Sequence, residues 1–214
     1  MITGTTRLYA IIGDPIEHVR TPMVFNDWFA ARGIDAVCLP IHIGRDDLPR
    51  GWAGLRSILN LDGFIVTAPH KAESRVLCDA VEGDGVHTGV VNTIRREPDG
   101  RFVGTLLDGR GFVRGLQNEG HAVEGRRFYL AGAGGAGTAL AYALAATGAA
   151  ALTIHNRTRS KAEALAGTAY SQARRCWPPP VSLASTPKVN GSLITPESAS
   201  VSAICGRLDP RFRI

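Results

Sequence analysis

The residues best placed to do chemistry begin with Gly132, Ala133, Gly134, Gly135, Ala136 and Gly137, which have the spacing GxGxxG. Alone the pattern is weak. It gains meaning from context, because residues 127–131 read as a strand and the Ala/Leu-rich run from about 136 to 147 reads as a helix. The first glycine permits a tight turn, the second lets backbone N–H groups approach a pyrophosphate, and the third lets helix and strand pack closely. The helix N-terminus then presents its unpaired N–H groups to a phosphate. The bland alternative is a glycine-rich turn with no ligand. Dinucleotide sites for NAD usually carry Asp or Glu about 20 residues past the loop. This chain has Asn156, Arg157 and Thr158 there, with Arg159 and Lys161 close by. Guanidinium pairs well with a phosphate dianion, often through two hydrogen bonds. The expected cofactor is therefore NADP rather than NAD, against the alternative of a solvated basic loop.

Lys71 and Asp108 form the second candidate group. Residues 63–68 read as a parallel strand, and Lys71 lies just beyond its C-terminal end, where open α/β sheets bind ligands. Asp108 follows the second strand of a predicted hairpin. An ammonium and a carboxylate beside one alcohol can shuttle its proton during hydride transfer. His70 invites an acid/base reading, since imidazole titrates near neutrality, but packing or hydrogen bonding is the favoured role. The histidines suggest neither a metal site nor a triad, and there is no GxSxG element. Cys38, Cys78, Cys176 and Cys205 have neither CxxC nor metal-ligand spacing, so they read as buried or indifferent thiols.

The elements that must carry these residues alternate. Leu8–Ile12 is an apolar run closed by Gly13, Asp14 and Pro15, which reads as a buried strand and a turn. Thr21 and Pro22 read as an N-cap and first helical residue, with the helix stopping near Gly33. Residues 36–41 predict a second strand, 46–59 a helix, 63–68 a third strand and 70–80 another helix. Residues 90–95 and 101–104 flank Glu97, Pro98, Asp99 and Gly100 and predict a hairpin. A helix is expected from about Gly111 to Glu119, and Gly120 and Gly125 mark a boundary. The second unit predicts strand 127–131, the glycine loop, a helix ended by Gly148, strand 151–155, and a helix from Ser160 to Ala166. The fold class is α/β: a mainly parallel substrate and catalytic domain over 1–120, then a partial Rossmann unit binding NADP over 121–167. Residues 168–214 are rich in Pro, Ser and Thr and lack periodicity, so they predict an irregular or disordered tail.

Composition narrows the class. The 44% hydrophobic content of 214 residues suffices for a real core, and no apolar run reaches the roughly 18–20 residues of a membrane span. The N-terminus is not a signal peptide, so a cytoplasmic protein is expected. The net charge of +5 is scattered without an aromatic-rich basic stripe, which argues against nucleic acid. It suits an anionic cofactor and a carboxylate substrate.

Five segments, in order, resemble the shikimate dehydrogenase family. They are residues 13–22, 63–71 (GFIVTAPHK), 89–94 (GVVNTI), 108–112 (DGRGF), and 132–137 with 156–158. The resemblance covers roughly residues 8–166. It implies an NADP-dependent oxidoreductase interconverting 3-dehydroshikimate and shikimate, or a quinate-like hydroxy cyclic acid, in aromatic amino acid biosynthesis. It implies that Lys71 and Asp108 are the catalytic pair, and that Asn92 and Thr67 bind substrate hydroxyls.

Departures from the family pattern are specific. Two hydroxyls of a Ser-x-Ser-Pro element usually bind the substrate carboxylate; here Val19 replaces one, while Thr21 keeps the other. Ile65 stands where Asn is usual, and Leu106 and Leu107 precede Asp108 where Asn-Thr is common. The family continues through further strands and a final helix that returns a substrate-binding Gln to the first domain. Nothing in 168–214 resembles that segment, so the chain reads as truncated or frame-shifted after about residue 167. Two function classes stay open: a dehydrogenase of shikimate type, and a homologue that binds ligand without turnover.

Overall fold

Two parallel neighbours explain the apolar first strand. In the computed structural model, which describes residues 1–176, β1 (Arg7–Gly13) lies between β2 (Ala36–His42) and β3 (Leu61–Val66), parallel to both. A strand covered on both faces reads as a continuous hydrophobic run. Ala10, Ile11 and Ile12 are accordingly all buried. The six-stranded sheet has the order β2-β1-β3-β5-β6-β4. Its other strands are β4 (Ala80–Val81), β5 (Thr93–Arg96) and β6 (Phe102–Thr105). β5 is antiparallel to β3 and β6, and β4 is parallel to β6, so the sheet is mixed but mainly parallel.

One face is covered by α2 (Leu48–Ser57) and α3 (Lys71–Leu77). Its centre is an aromatic trio. Trp52 stands edge-on to Phe64 and Phe102 with ring centroids 5.1 and 5.6 Å away, and Phe64 and Phe102 are 5.3 Å apart. Edge-to-face pairs of this kind add about 0.5–1.5 kcal/mol each beyond their buried area. α1 (Thr21–Ala31) packs on the other face, with Phe29 buried against Tyr9.

The second sheet belongs to a βαβ with β7 (Arg127–Ala131) parallel to β8 (Ala151–His155), joined by α6 (Gly135–Ala146). α5 (Asp108–Asn118) and α7 (Arg159–Cys176) pack with α6 around a core of Val113, Leu144, Leu152 and Leu165. All described residues belong to one compact unit. Among them, no helix is long and apolar enough to cross a membrane.

Several expected boundaries shift. Arg20, not Thr21, is the N-cap of α1, because the Val24 N–H bonds to the Arg20 carbonyl and draws that residue into helical geometry. The hairpin strands start later than residues 90 and 101. Val90–Asn92 is irregular instead, with Val91 N–H donating to the Lys71 carbonyl and Asn92 N–H to the Thr105 carbonyl. The two-residue β4 and the one-turn α4 (Gly85–Thr88) had no sequence signal long enough to read. α5 begins at Asp108 despite Gly109 and Gly111. Glycine costs roughly 0.8–1.0 kcal/mol in a helix interior, but packing overrides it here. A β-carbon on Gly109 would run into the Ala139 carbonyl of α6, so only glycine permits this approach. α7 likewise passes Gly167 and continues to Cys176, since Leu165 and the fully buried Ala169 anchor it on either side. The tail expected from 168 therefore begins in helix, and its part beyond 176 lies outside the described residues.

Candidate active site

Three chain crossings converge at the end of the first sheet. After β3, Thr67–His70 form a turn closed by the His70 N–H on the Thr67 carbonyl, and α3 opens at Lys71. This turn is tied to the loop after β1: Thr67 N–H donates to the Ile12 carbonyl, and Asp14 N–H donates to the Ala68 carbonyl. His70 is buried, and its ring Nε2 donates to the Ile43 carbonyl at 2.7 Å. The imidazole therefore pins the turn to the loop after β2 and has no open path to a substrate, in agreement with the packing role read from sequence.

Lys71 points at Asp108, the first residue of α5, with Nζ 2.5 Å from Oδ2. The helix N-terminus favours a carboxylate there. Asn92 completes the group. Its Nδ2 donates to Asp108 Oδ1 at 2.5 Å, while its Oδ1 accepts from the Leu107 N–H at 2.8 Å and from the Thr93 hydroxyl at 3.1 Å. These two donors fix the orientation of the buried amide. Charge-assisted hydrogen bonds of this kind are short and strong. Lys71 and Asp108 keep 15% and 30% of their side-chain surface exposed, so the pair is sheltered yet reachable.

Beside the trio opens a cavity of about 1140 Å³ lined by Tyr9, Phe25, Ile65, Asn92, Thr93 and Asp108, among others. The structure thus joins Lys71, Asp108 and Asn92 into one cluster. Thr67 and Thr21 stand apart from it in bonding: among the described residues neither side chain hydrogen-bonds to the trio. Thr67 packs its methyl against Gly13, where a β-carbon would overlap it. Thr21 is half-buried in the first turn of α1.

The glycine loop follows β7. Gly132 has φ of 116°, a conformation that favours glycine, and its N–H donates to the His155 carbonyl at 2.7 Å. Gly137 packs on the Gly132 carbonyl so closely that a β-carbon would overlap it, whereas Gly134 faces open space. The first N–H groups of α6, from Gly135, Ala136 and Gly137, have no acceptor within the helix. Asn156 Oδ1 accepts from the Ala133 N–H at 3.1 Å, and its Nδ2 donates to the Thr158 carbonyl at 3.0 Å. Its side chain is therefore spent on holding the loop. Arg157, Thr158 and Lys161 are exposed at the end of β8 and the start of α7. Arg159 is paired with Glu163 at 2.7 Å, while Arg157 has no ion pair among the described residues.

Two contributions escaped the sequence reading. Gly135 lies against the stem of Lys71, and a β-carbon there would stand 3.2 Å from Lys71 Cδ. Gly109 sets the α5–α6 approach that aims Asp108. The glycine next to Asp108 was the available signal.

Comparison with known proteins agrees with this geometry. Residues 11–94 match the family model described as the shikimate dehydrogenase substrate binding domain, and residues 116–176 match that of shikimate / quinate 5-dehydrogenase. The second match runs past Gly167, so the likeness extends further than the sequence reading placed it. The chain is 41% identical over 165 residues to shikimate dehydrogenase (NADP(+)) of Geobacter metallireducens, covering 77% of this chain and 57% of the relative. A crystal structure of shikimate dehydrogenase in complex with NADP+ superposes with a TM-score of 0.75 at 34% identity, covering 81% of this chain and 59% of that one. Shikimate 5-dehydrogenase from Listeria monocytogenes, in complex with shikimate and NAD, gives 0.73 at 33% identity, covering 80% and 60%. The chain spans under two thirds of the length of these relatives, but both matching models and the shared fold identify it as a member of the shikimate dehydrogenase family.

Proposed function

We propose that this chain is an NADP-dependent oxidoreductase acting on shikimate or a quinate-like hydroxy cyclic carboxylate, with Lys71 and Asp108 as the catalytic pair. The observation that carries the reading is the Lys71–Asp108–Asn92 cluster, of which Asn92 and Asp108 line a cavity of about 1140 Å³. Its place at the C-terminal end of β3 is where open α/β sheets bind ligands.

The residues present fit the cofactor. The close Gly132–Gly137 contact and the open space at Gly134 leave the α6 N-terminus free to receive a pyrophosphate. Arg157, with Thr158 and Lys161 beside it, would hold the 2′-phosphate, and no Asp or Glu stands there to repel it. When bound, NADP supplies the hydride acceptor or donor. Everything else falls to the chain. As the ring alcohol loses its carbon-bound hydrogen and becomes a ketone, its hydroxyl proton must leave. The Lys71–Asp108 pair takes up that proton as a unit and passes it to solvent through its exposed side. Asn92 binds a second oxygen of the substrate and holds Asp108 in register. Thr67, on the turn tied to the β1 loop through Asp14 and Ala68, and Thr21, in the first turn of α1, contribute hydroxyls to the substrate's far groups. We assign residues 1–120 to substrate binding and 121–176 to the cofactor.

This places the chain in aromatic amino acid biosynthesis. A cytoplasmic location belongs to the same proposal. The test is to incubate the purified chain with shikimate or quinate and NADP+ and to follow formation of the reduced nicotinamide, beside a titration of cofactor binding. Turnover that prefers NADP+ to NAD+ is expected. Ligand binding without turnover overturns the catalytic reading.

A further inference from the structure

Resting on the oxidoreductase reading proposed above, we infer that His42 and Asp14 are positioning residues for Lys71. The Asp14 carboxylate, gripped by His42, sets the loop after β2 so that it fixes His70, and His70 fixes the start of α3.

A closed circuit of hydrogen bonds joins the ends of the three parallel strands. The Asp14 N–H donates to the Ala68 carbonyl at 3.0 Å. Ala68 lies in the turn that the His70 N–H closes on the Thr67 carbonyl at 3.1 Å. The His70 ring Nε2 then donates to the Ile43 carbonyl at 2.7 Å. Asp14 holds both flanks of Ile43 with its side chain. Its Oδ1 accepts from His42 Nε2 at 2.9 Å, and its Oδ2 accepts from the Arg45 N–H at 3.1 Å. The circuit starts and ends at Asp14, and Lys71 is the next residue after His70.

The other ties on the loop after β2 leave its carbonyl free to turn. The Ile43 N–H reaches the Gly13 carbonyl at 3.3 Å, a long bond. The Ile43 side chain is buried in the core of the first sheet, which holds the loop to the fold but does not aim the carbonyl. His70 is buried and needs that carbonyl, because an unmatched buried donor costs about 1–3 kcal/mol. A turned carbonyl therefore draws the imidazole after it, and α3 opens one residue later. The His42 hydrogen bond, and then the Arg45 N–H, hold the Asp14 carboxyl below the ordinary carboxylate range, so it stays an acceptor at neutral pH. Among the described residues neither His42 nor Asp14 hydrogen-bonds to Lys71, so their effect passes through the backbone of 67–71. A displacement of about 1 Å at a reacting group can cost roughly 100-fold in rate.

The experiment measures turnover of shikimate with NADP+, and hydrogen exchange at the His70 and Ser74 amides, in the wild-type chain and in His42→Leu, His42→Gln and Asp14→Ala. Glutamine keeps a side-chain N–H donor and leucine has none. Asp14→Ala should lower kcat by about 10–100-fold and His42→Leu by about 3–10-fold, with the Kd for NADP within about twofold of wild type. Exchange at both amides should quicken by about 3–10-fold in these two variants, and His42→Gln should restore both readouts. Unchanged exchange overturns the inference. Faster exchange with an unchanged kcat also overturns it, since the circuit would then hold the loops without placing Lys71, and the proposed function would stand. His42→Gln falling as far as His42→Leu shows that the hydrogen bond is not what matters, and overturns it as well. If Asp14→Ala does not fold, the His42 pair decides alone, because that side chain is half-exposed. A wild-type chain without turnover removes both the inference and the proposed function.

Discussion

The stem of Lys71 passes so near Gly135 that a β-carbon on the glycine would stand 3.2 Å from Lys71 Cδ. The ammonium end of the same side chain lies 2.5 Å from Asp108 Oδ2. One lysine is thus held at its head by α5 and along its stem by the glycine loop. The proposed proton pair and the proposed pyrophosphate loop are in direct contact.

Gly135→Ala should therefore act on turnover more than on folding. The added methyl pushes a flexible stem, which can give, but the stem is attached to a group whose geometry matters. We expect a stability change below about 1 kcal/mol and a fall in kcat of roughly 10-fold. Chemical denaturation and steady-state kinetics on one preparation check this. A large loss of stability with normal kcat in the surviving fraction would contradict it.

Gly109→Ala should do the reverse. Its β-carbon meets the Ala139 backbone carbonyl, which cannot rotate away. Overpacking of this kind costs about 1–3 kcal/mol. The urea midpoint should fall accordingly, and a midpoint equal to wild type would show that α5 and α6 separate at no cost.

Lys71→Ala should lower kcat by about 10²–10⁴-fold, the range for a positioned acid/base. Asp108→Asn should lower kcat too, because it removes the charge that Lys71 faces at 2.5 Å. An unchanged kcat with a raised KM in Lys71→Ala would make the lysine a binding group only.

Arg157→Asp replaces the proposed partner of the 2′-phosphate with a like charge. The Kd for NADP should rise by about 10–100-fold while that for NAD stays within roughly threefold. Equal losses for both cofactors would take Arg157 away from that phosphate.

Asp79 supplies a test of pH dependence. The Arg56 guanidinium at 2.7 Å, and then the Phe102 N–H at 2.7 Å, hold its carboxyl below the ordinary carboxylate range. A group with a lowered folded value binds fewer protons folded than unfolded. Its stabilisation is complete above the unfolded value of about 3.9 and disappears as pH falls through the folded one. Asp79→Asn should lower the urea midpoint at pH near 7, and the gap from wild type should narrow below about pH 4. A gap that stays constant across that range would show the effect is packing, not charge.

Much of this protein was legible in the chain. The β1 run of Leu8–Ile12, the glycine loop after 127–131 and the stop at Gly148 all announce themselves through local chemistry. Local signals of this kind are apolar periodicity, turn residues and positive φ, and each depends on only a few neighbouring residues. Lys71 could be placed at a strand end for the same reason. What only the tertiary structure decided were features made by distant segments meeting. Asp108 reaches Lys71 and Asn92 because Gly109 lets α5 approach α6, a contact that no local pattern encodes. α7 outruns Gly167 because Leu165 and Ala169 are buried against a core built from other elements. Ile65 becomes a cavity wall only when β5 sets Thr93 opposite it. Helix breakers and strand ends weigh about 1 kcal/mol locally, and burial of a few side chains outweighs that.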